Sequence, residues 1–168
     1  MPGKLNLFFA SVIFTMLFIS CAQEVNNSNN NPILTKEQVT ERTAGIIEGT
    51  IIKSEIETEH GIQVWEIYVI ALSGGELKIK FRVDEGTIVE IKGIFPSFDY
   101  EINPGMNLIN YSFAKSIALN AKNGELLEWK LEKDESDETW QYRFQIRSEG
   151  RNWEVRISAE TGMVIRIS

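Results

Sequence analysis

Residues 49–69 and 124–144 spell one pattern 75 positions apart, and a repeat of that period restricts the chain to two copies of a small unit, because no third copy fits. Gly49-Thr50-Ile51-Ile52-Lys53-Ser54-Glu55-Ile56-Glu57 lies over Gly124-Glu125-Leu126-Leu127-Glu128-Trp129-Lys130-Leu131-Glu132. Trp65-Glu66-Ile67-Tyr68-Val69 then lies over Trp140-Gln141-Tyr142-Arg143-Phe144, which makes Trp65 and Trp140 counterparts.

Each copy changes from helical to extended periodicity in the same order. Thr35 with Gln38 three places on is a capping box, and Val39, Ile46 and Ile47 give an apolar stripe that stops at Gly49. In the second copy Ser112 is the expected N-cap, Phe113, Ile117 and Ala121 form the stripe, and Asn123-Gly124 is the stop. Alternation marks the strands that follow: Ile52, Ser54 and Ile56 against Lys53, Glu55 and Glu57, then Trp65, Ile67, Val69 and Ala71, then Leu77, Ile79, Phe81 and Val83. The second copy offers Leu127, Trp129 and Leu131, then Trp140, Tyr142, Phe144 and Ile146, then Trp153, Val155 and Ile157. Short fourth strands are expected over 88–91 and 163–167, and turns at His60-Gly61, Ser73-Gly74-Gly75, 134–139 and Glu149-Gly150. The expected fold class is α+β, with two tandem helix-then-antiparallel-sheet repeats (α-β-β-β-β each) packed together. Two units this small, each marginal alone, must share an interface.

The first 21 residues have another character. Lys4 precedes an apolar run over 5–19 that ends in Ser20-Cys21, a secretory signal too short to span a bilayer. A small residue before the chain's one cysteine, with Leu17-Phe18-Ile19 upstream, resembles the bacterial lipobox, which implies acylation of Cys21. The plainer alternative is an ordinary cleaved signal with an incidental cysteine. Residues 22–31 hold five asparagines and a serine, a composition suited to a flexible tether. The expected organisation is a signal peptide over 1–20, a lipidated cysteine and tether over 21–33, repeat 1 over 34–93, an aromatic connector over 94–108 and repeat 2 over 109–168. Removing residues 1–20 takes away only Lys4 of 17 Lys+Arg, so 16 remain against 24 Asp+Glu. That balance argues against a nucleic-acid partner.

The sequence offers little chemistry. His60 is the one histidine, set in a turn with no second histidine to complete a metal site, and the one cysteine, Cys21, is read as an anchor. Ser112-Phe113-Ala114-Lys115 matches a Ser-x-x-Lys pattern by letters, but its place at a helix start suits capping. Asp134-Glu135-Ser136-Asp137-Glu138 lacks the glycine and spacing of a calcium loop and is better read as a solvated hairpin. No phosphate-binding glycine pattern occurs. No catalytic residue, metal or cofactor is therefore expected.

Trp129, Trp140 and Trp153 alternate onto the apolar face and belong to the core. Arg143, Arg147, Arg156 and Arg166 lie on the other face among Glu128, Glu132 and Glu154, as in cross-strand pairing on a wet surface. The connector carries more aromatic residues than a linker needs. It either packs on the sheet or, where exposed, presents Phe95, Phe98 and Tyr100 to a partner.

The third strand of copy two runs into Ile157-Ser158-Ala159-Glu160-Thr161-Gly162-Met163-Val164-Ile165, which resembles the PepSY domain ending of an aliphatic residue, an acidic one, two variable ones, Thr-Gly and an aliphatic pair. Ser158 stands where the acidic residue usually sits, and copy one, Val83-Asp84-Glu85-Gly86-Thr87-Ile88-Val89, reads as two residues shorter. The resemblance spans 34–93 and 109–168. Members of that family occur in propeptides of secreted metallopeptidases and as tandem copies in exported bacterial proteins. The resemblance implies an exported, membrane-anchored lipoprotein of the cell envelope that is not an enzyme and that binds and restrains an extracytoplasmic protein such as a peptidase. The alternatives are a small-molecule or peptide binding protein of the envelope and, less in keeping with the residues, an enzyme built around His60.

Overall fold

The computed structural model describes residues 33–134, 136 and 138–168; the expected signal peptide, Cys21 and all of the tether but Ile33 lie outside the described residues. The elements run α1 (Lys36–Ile46), β1 (Gly49–Glu59), β2 (Ile62–Ala71), β3 (Glu76–Arg82), β4 (Ile88–Phe95), α2 (Tyr111–Ala121), β5 (Glu125–Lys133), β6 (Trp140–Ser148), β7 (Arg151–Ser158) and β8 (Val164–Ile167).

Helix α1 starts where its capping box predicts, with the Thr35 hydroxyl accepting from Gln38 N and the Gln38 amide oxygen accepting from Thr35 N. It buries Val39, Thr43 and Ile46. Helix α2 departs from expectation at its start. Its N-cap is Asn110, whose side chain accepts from Phe113 N, and Ser112 lies inside the first turn. The helix therefore buries Tyr111, Ala114 and Ala118 and leaves Phe113 exposed.

All eight strands form one antiparallel sheet in chain order, not two sheets packed together. The halves meet edge to edge, where Glu90, Ile91, Lys92 and Gly93 of β4 face Glu132, Leu131, Lys130 and Trp129 of β5. His60-Gly61 and Glu149-Gly150 close two-residue hairpins with φ of 49°, 83°, 53° and 75°, the double left-handed geometry that suits a right-twisted ribbon. A bulge between Ile51 and Lys53 breaks the alternation expected in β1 and turns Ile52 outward. Ile56 does face the core side opposite Trp65, but β1 is an outer strand and Ile56 remains 46% exposed.

The hydrogen bonds correct the letter alignment of the halves. Trp65 donates its indole N–H to Leu34 O at 2.7 Å, and the group that does the same in the second half is the Tyr142 hydroxyl, donating to Ile109 O at 3.0 Å. Val83 N donates to Gln63 O as Ala159 N does to Trp140 O, so Trp140 stands in the place of Gln63. The cause is a β5–β6 hairpin two residues longer than β1–β2, since Glu57 faces Val64 whereas Glu132 faces Gln141. The turns after β3 and β7 have equal length: Gly86 N donates to Arg82 O and Arg82 N to Thr87 O, as Gly162 N does to Ser158 O and Ser158 N to Met163 O.

Both helices cover one face of the sheet, which buries Trp65, Ile67, Leu77, Ile79, Ile91, Trp129, Leu131, Tyr142, Phe144 and Val155 in a single core. Tyr111 carries α2 onto it, its ring 4.2 Å from that of Trp129 and 5.4 Å from that of Tyr100. The connector begins at Pro96, later than expected, because β4 continues to Phe95.

Candidate functional site: the charged face of the sheet

The face away from the helices is polar, and the register arranges its charges in rows. Lys53, Tyr68, Lys78, Lys92, Lys130, Arg143, Arg156 and Arg166 are successive cross-strand partners on all eight strands. At the spacing of adjacent strands the row is about 34 Å long. Like charges placed directly opposite repel, so the row needs flanking anions. Lys78 pairs with Glu66 at 3.0 Å, Lys92 with Glu128 at 2.9 Å, Lys130 with Glu132 at 2.7 Å and Arg143 with Glu132 at 3.0 Å. Lys53 pairs with Glu55 and Arg156 with Glu154. Arg166 has no carboxylate within ion-pair distance among the described residues, which leaves one end of the row uncompensated.

Two members of this lattice are buried. Glu66 is 7% exposed and accepts from Lys78 at 3.0 Å and from the Tyr68 hydroxyl at 3.0 Å, with Lys80 3.2 Å away. Burial pushes its carboxyl up, but the bonds from Lys78 and Tyr68 outweigh burial and hold it below the ordinary carboxylate range. Burial likewise pulls the Lys80 ammonium down, yet Glu59, Glu90 and Glu66 around it raise it above the usual lysine value. The ends of β4 and β5 border an open cleft of about 1260 Å³, whose lining includes Arg42, His60, Lys80, Glu90, Glu132 and Trp140.

At the far end of the sheet the turn after β7 docks on α2. Ser158 Oγ accepts from Thr161 N at 3.2 Å, Thr161 Oγ1 accepts from Met163 N at 3.3 Å, and Gly162 takes φ of 77°. A Cβ on Gly162 would lie 3.4 Å from Ile117 and 3.6 Å from Ile109, so the Thr-Gly turn is fitted to the helix. Residues 108–167 match the family model of PepSY, peptidase propeptide and YPEB domain. The matched span holds α2 and β5–β8. A crystal structure from Clostridium difficile 630, of a protein inferred to be a lipoprotein, is 17% identical over 79% of this chain and 88% of that one, with a TM-score of 0.39. No curated protein matches the chain. Among the described residues no helix is long and apolar enough to cross a membrane.

Outside the PepSY span, the turn after β3 uses another contact for the same task. Arg42 of α1 donates to Gly86 O, and a Cβ on Gly86 would lie 2.5 Å from that guanidinium. The connector that leads into the PepSY span lies against the sheet. Phe98 is 7% exposed, and its carbonyl accepts from the Tyr111 hydroxyl at 3.1 Å and from Lys115 Nζ at 2.8 Å. Tyr100 is largely buried beside Trp129, whereas Phe95 is 59% exposed. Only Phe95 of the three aromatic residues expected to meet a partner thus faces solvent. His60 sits in its hairpin turn. Asp134 accepts from Ser136 N at 2.9 Å and from Gln141 Nε2 at 2.6 Å, which ties the β5–β6 loop to its own strand. Trp129 is fully buried, and Trp153 lies under Lys122 Nζ, 4.1 Å from its ring centroid.

The row of cations escaped sequence reasoning. Alternation assigns Arg143, Arg156 and Arg166 to the outer face, but only the strand register brings Lys53, Lys78, Lys92 and Lys130 into line with them. Their common outward parity was the available signal.

Proposed function

We propose that this chain is an exported, non-enzymatic module of two PepSY-like repeats, 34–93 and 109–168, that binds and restrains an extracytoplasmic protein, with a peptidase the favoured partner class. The observation that carries the reading is the PepSY match over 108–167, the span of α2 and β5–β8. The hydrogen bonds at Trp65 and Tyr142, and those of the turns at Gly86 and Gly162, support a diverged first copy. In this reading Cys21 is acylated and holds the module to the envelope membrane by a lipid alone. The open charged face and the exposed Phe95 are the surfaces offered to the partner, while Phe98 and Tyr100 hold the connector in place. Of the cation row, Lys53, Lys78, Lys92, Lys130, Arg143 and Arg156 are held in ion pairs with neighbouring carboxylates, which favours a binding module over a catalyst.

The test is a crosslinked pull-down with residues 22–168 from native envelope and secreted fractions, followed by peptidase assays of captured proteins with and without added module. Capture of a peptidase that the module slows is the expected result. Capture of nothing by folded module defeats the reading. Binding of a small molecule in the cleft near Trp140 is the second reading, supported by that cleft's size; it predicts a thermal shift with ligand and no protein present.

A further inference from the structure

β1 and β8 are the outer strands of the sheet, so each has one side along which no described strand pairs. The seam inside the chain shows what such edges accept, since Ile91 meets Leu131 there and Glu90 meets Glu132. Positions correspond through their neighbours. Ile91 faces Ile79 as Ile167 faces Val155, and Leu131 faces Tyr142 as Ile56 faces Trp65. Carrying the internal register to the free edges therefore sets Ile167 opposite Ile56 and Arg166 opposite Glu57. Both isoleucines belong to the core side of the sheet, where they stay 43% and 46% exposed. Arg166 and Glu57 belong to the charged side, and Arg166 is the member of the cation row without an anion. The internal seam opposes two glutamates, while the same register between copies opposes an arginine and a glutamate.

From this complementarity we infer that β8 of one copy pairs antiparallel with β1 of a second copy, continuing the sheet head to tail. The contact is heterologous, so each addition leaves one free β1 and one free β8 and growth does not stop at two. It is also weaker than the internal seam. β8 has four residues, and among the described residues no counterpart of Phe98 and Tyr100 covers the new joint. Association is accordingly concentration-dependent.

Residues 33–168 hold both helices, the whole sheet and its core, and sedimentation velocity over a concentration series tests the inference directly. The expected result is an average mass that rises with concentration beyond that of a dimer. Arg166→Glu and Glu57→Arg, both at exposed positions, each weaken association about tenfold by opposing like charges, and mixing the two variants restores it. Circular dichroism establishes that each variant is folded, and Ile167→Lys provides a second way to block the joint. A monomer at every concentration, a mass that stops at two copies, or association indifferent to both reversals overturns the inference.

Discussion

Trp129 donates its indole N–H to the Tyr100 hydroxyl at 2.8 Å across the seam between the halves, and Gly93, the partner of Trp129 on β4, leaves the room for it. A Cβ at position 93 would lie 2.1 Å from that nitrogen and 2.6 Å from the hydroxyl oxygen. Gly93→Ala is expected to destabilise the protein by about 1–3 kcal/mol through overpacking, read as a lower urea midpoint at unchanged slope. Tyr100→Phe keeps the ring but leaves the indole N–H without its acceptor, at about 1–3 kcal/mol. An unchanged midpoint in both variants contradicts this account of the seam.

The Tyr142 and Trp65 bonds to Ile109 O and Leu34 O hold the chain where it approaches each helix. Tyr142→Phe removes one such bond, at about 1 kcal/mol, and Trp65→Phe removes the other and also leaves unfilled volume, so its cost is larger. β2 and β6 lie four strands apart, roughly 19 Å. The double variant should then equal the sum of the singles within about 0.5 kcal/mol, and a larger discrepancy means that the halves are coupled beyond the seam.

Helix order, the Thr35 capping box, the two-residue turns and the core faces of β2, β3, β6 and β7 were legible because each rests on a local pattern. The equivalence of Trp65 with Tyr142 was not, since the two-residue excess in the β5–β6 hairpin lies between anchors that both happen to be tryptophan. Nor was the single sheet, because the β4–β5 pairing is a contact distant in sequence, and the bulge at Ile51–Lys53 leaves no mark in alternating letters. Asn110 and Ser112 both carry the short side-chain acceptor of a cap, and only the start of α2 in the structure separates them. Phe95, Phe98 and Tyr100 looked alike in sequence and separated only once Tyr111 and Trp129 gave two of them somewhere to pack.

Glu101, in the connector, acts at a distance as a cap of α2. Its carboxylate accepts from Tyr111 N at 2.8 Å and from Ser112 N at 3.1 Å, beside the bond from Phe113 N to Asn110. Anions are favoured at a helix N-terminus. Glu101→Ala should cost about 1 kcal/mol, and the difference from the unchanged protein should shrink in high salt. Equal stabilities at low salt would remove Glu101 from this role.

Asp134 reports the β5–β6 loop. Hydrogen bonds from the Ser136 side chain and backbone and from Gln141 hold its carboxyl down at about 2. A depressed folded value means that its contribution is present above the ordinary aspartate range and disappears as pH falls through about 2. Carboxyl NMR of the folded chain should place the Asp134 midpoint near 2, and a midpoint near 4 would show that the loop bonds do not form in solution.

Among the described residues Glu66 and Lys80 are the two buried charges of the polar face, and their coupling is the most direct test of the lattice. Lys80→Met leaves Glu66 with Lys78 and Tyr68 and removes a charged neighbour 3.2 Å away, so a loss of about 1–3 kcal/mol is expected. Glu66→Gln in that background should cost less than in the unchanged protein, because the carboxylate then has one cation fewer to serve; the double-mutant cycle measures the difference. The signs with pH follow from the two shifts. Glu66 is held low, so its contribution is full above the ordinary glutamate value and is lost as pH falls through its depressed one. Lys80 is held high, so its contribution is full below the ordinary lysine value and is lost as pH rises through its raised one. Stability of the unchanged protein relative to the double variant should therefore be flat between those limits and fall at both ends. A difference that is already changing near neutral pH would show that these two groups are not what the buried part of the lattice depends on.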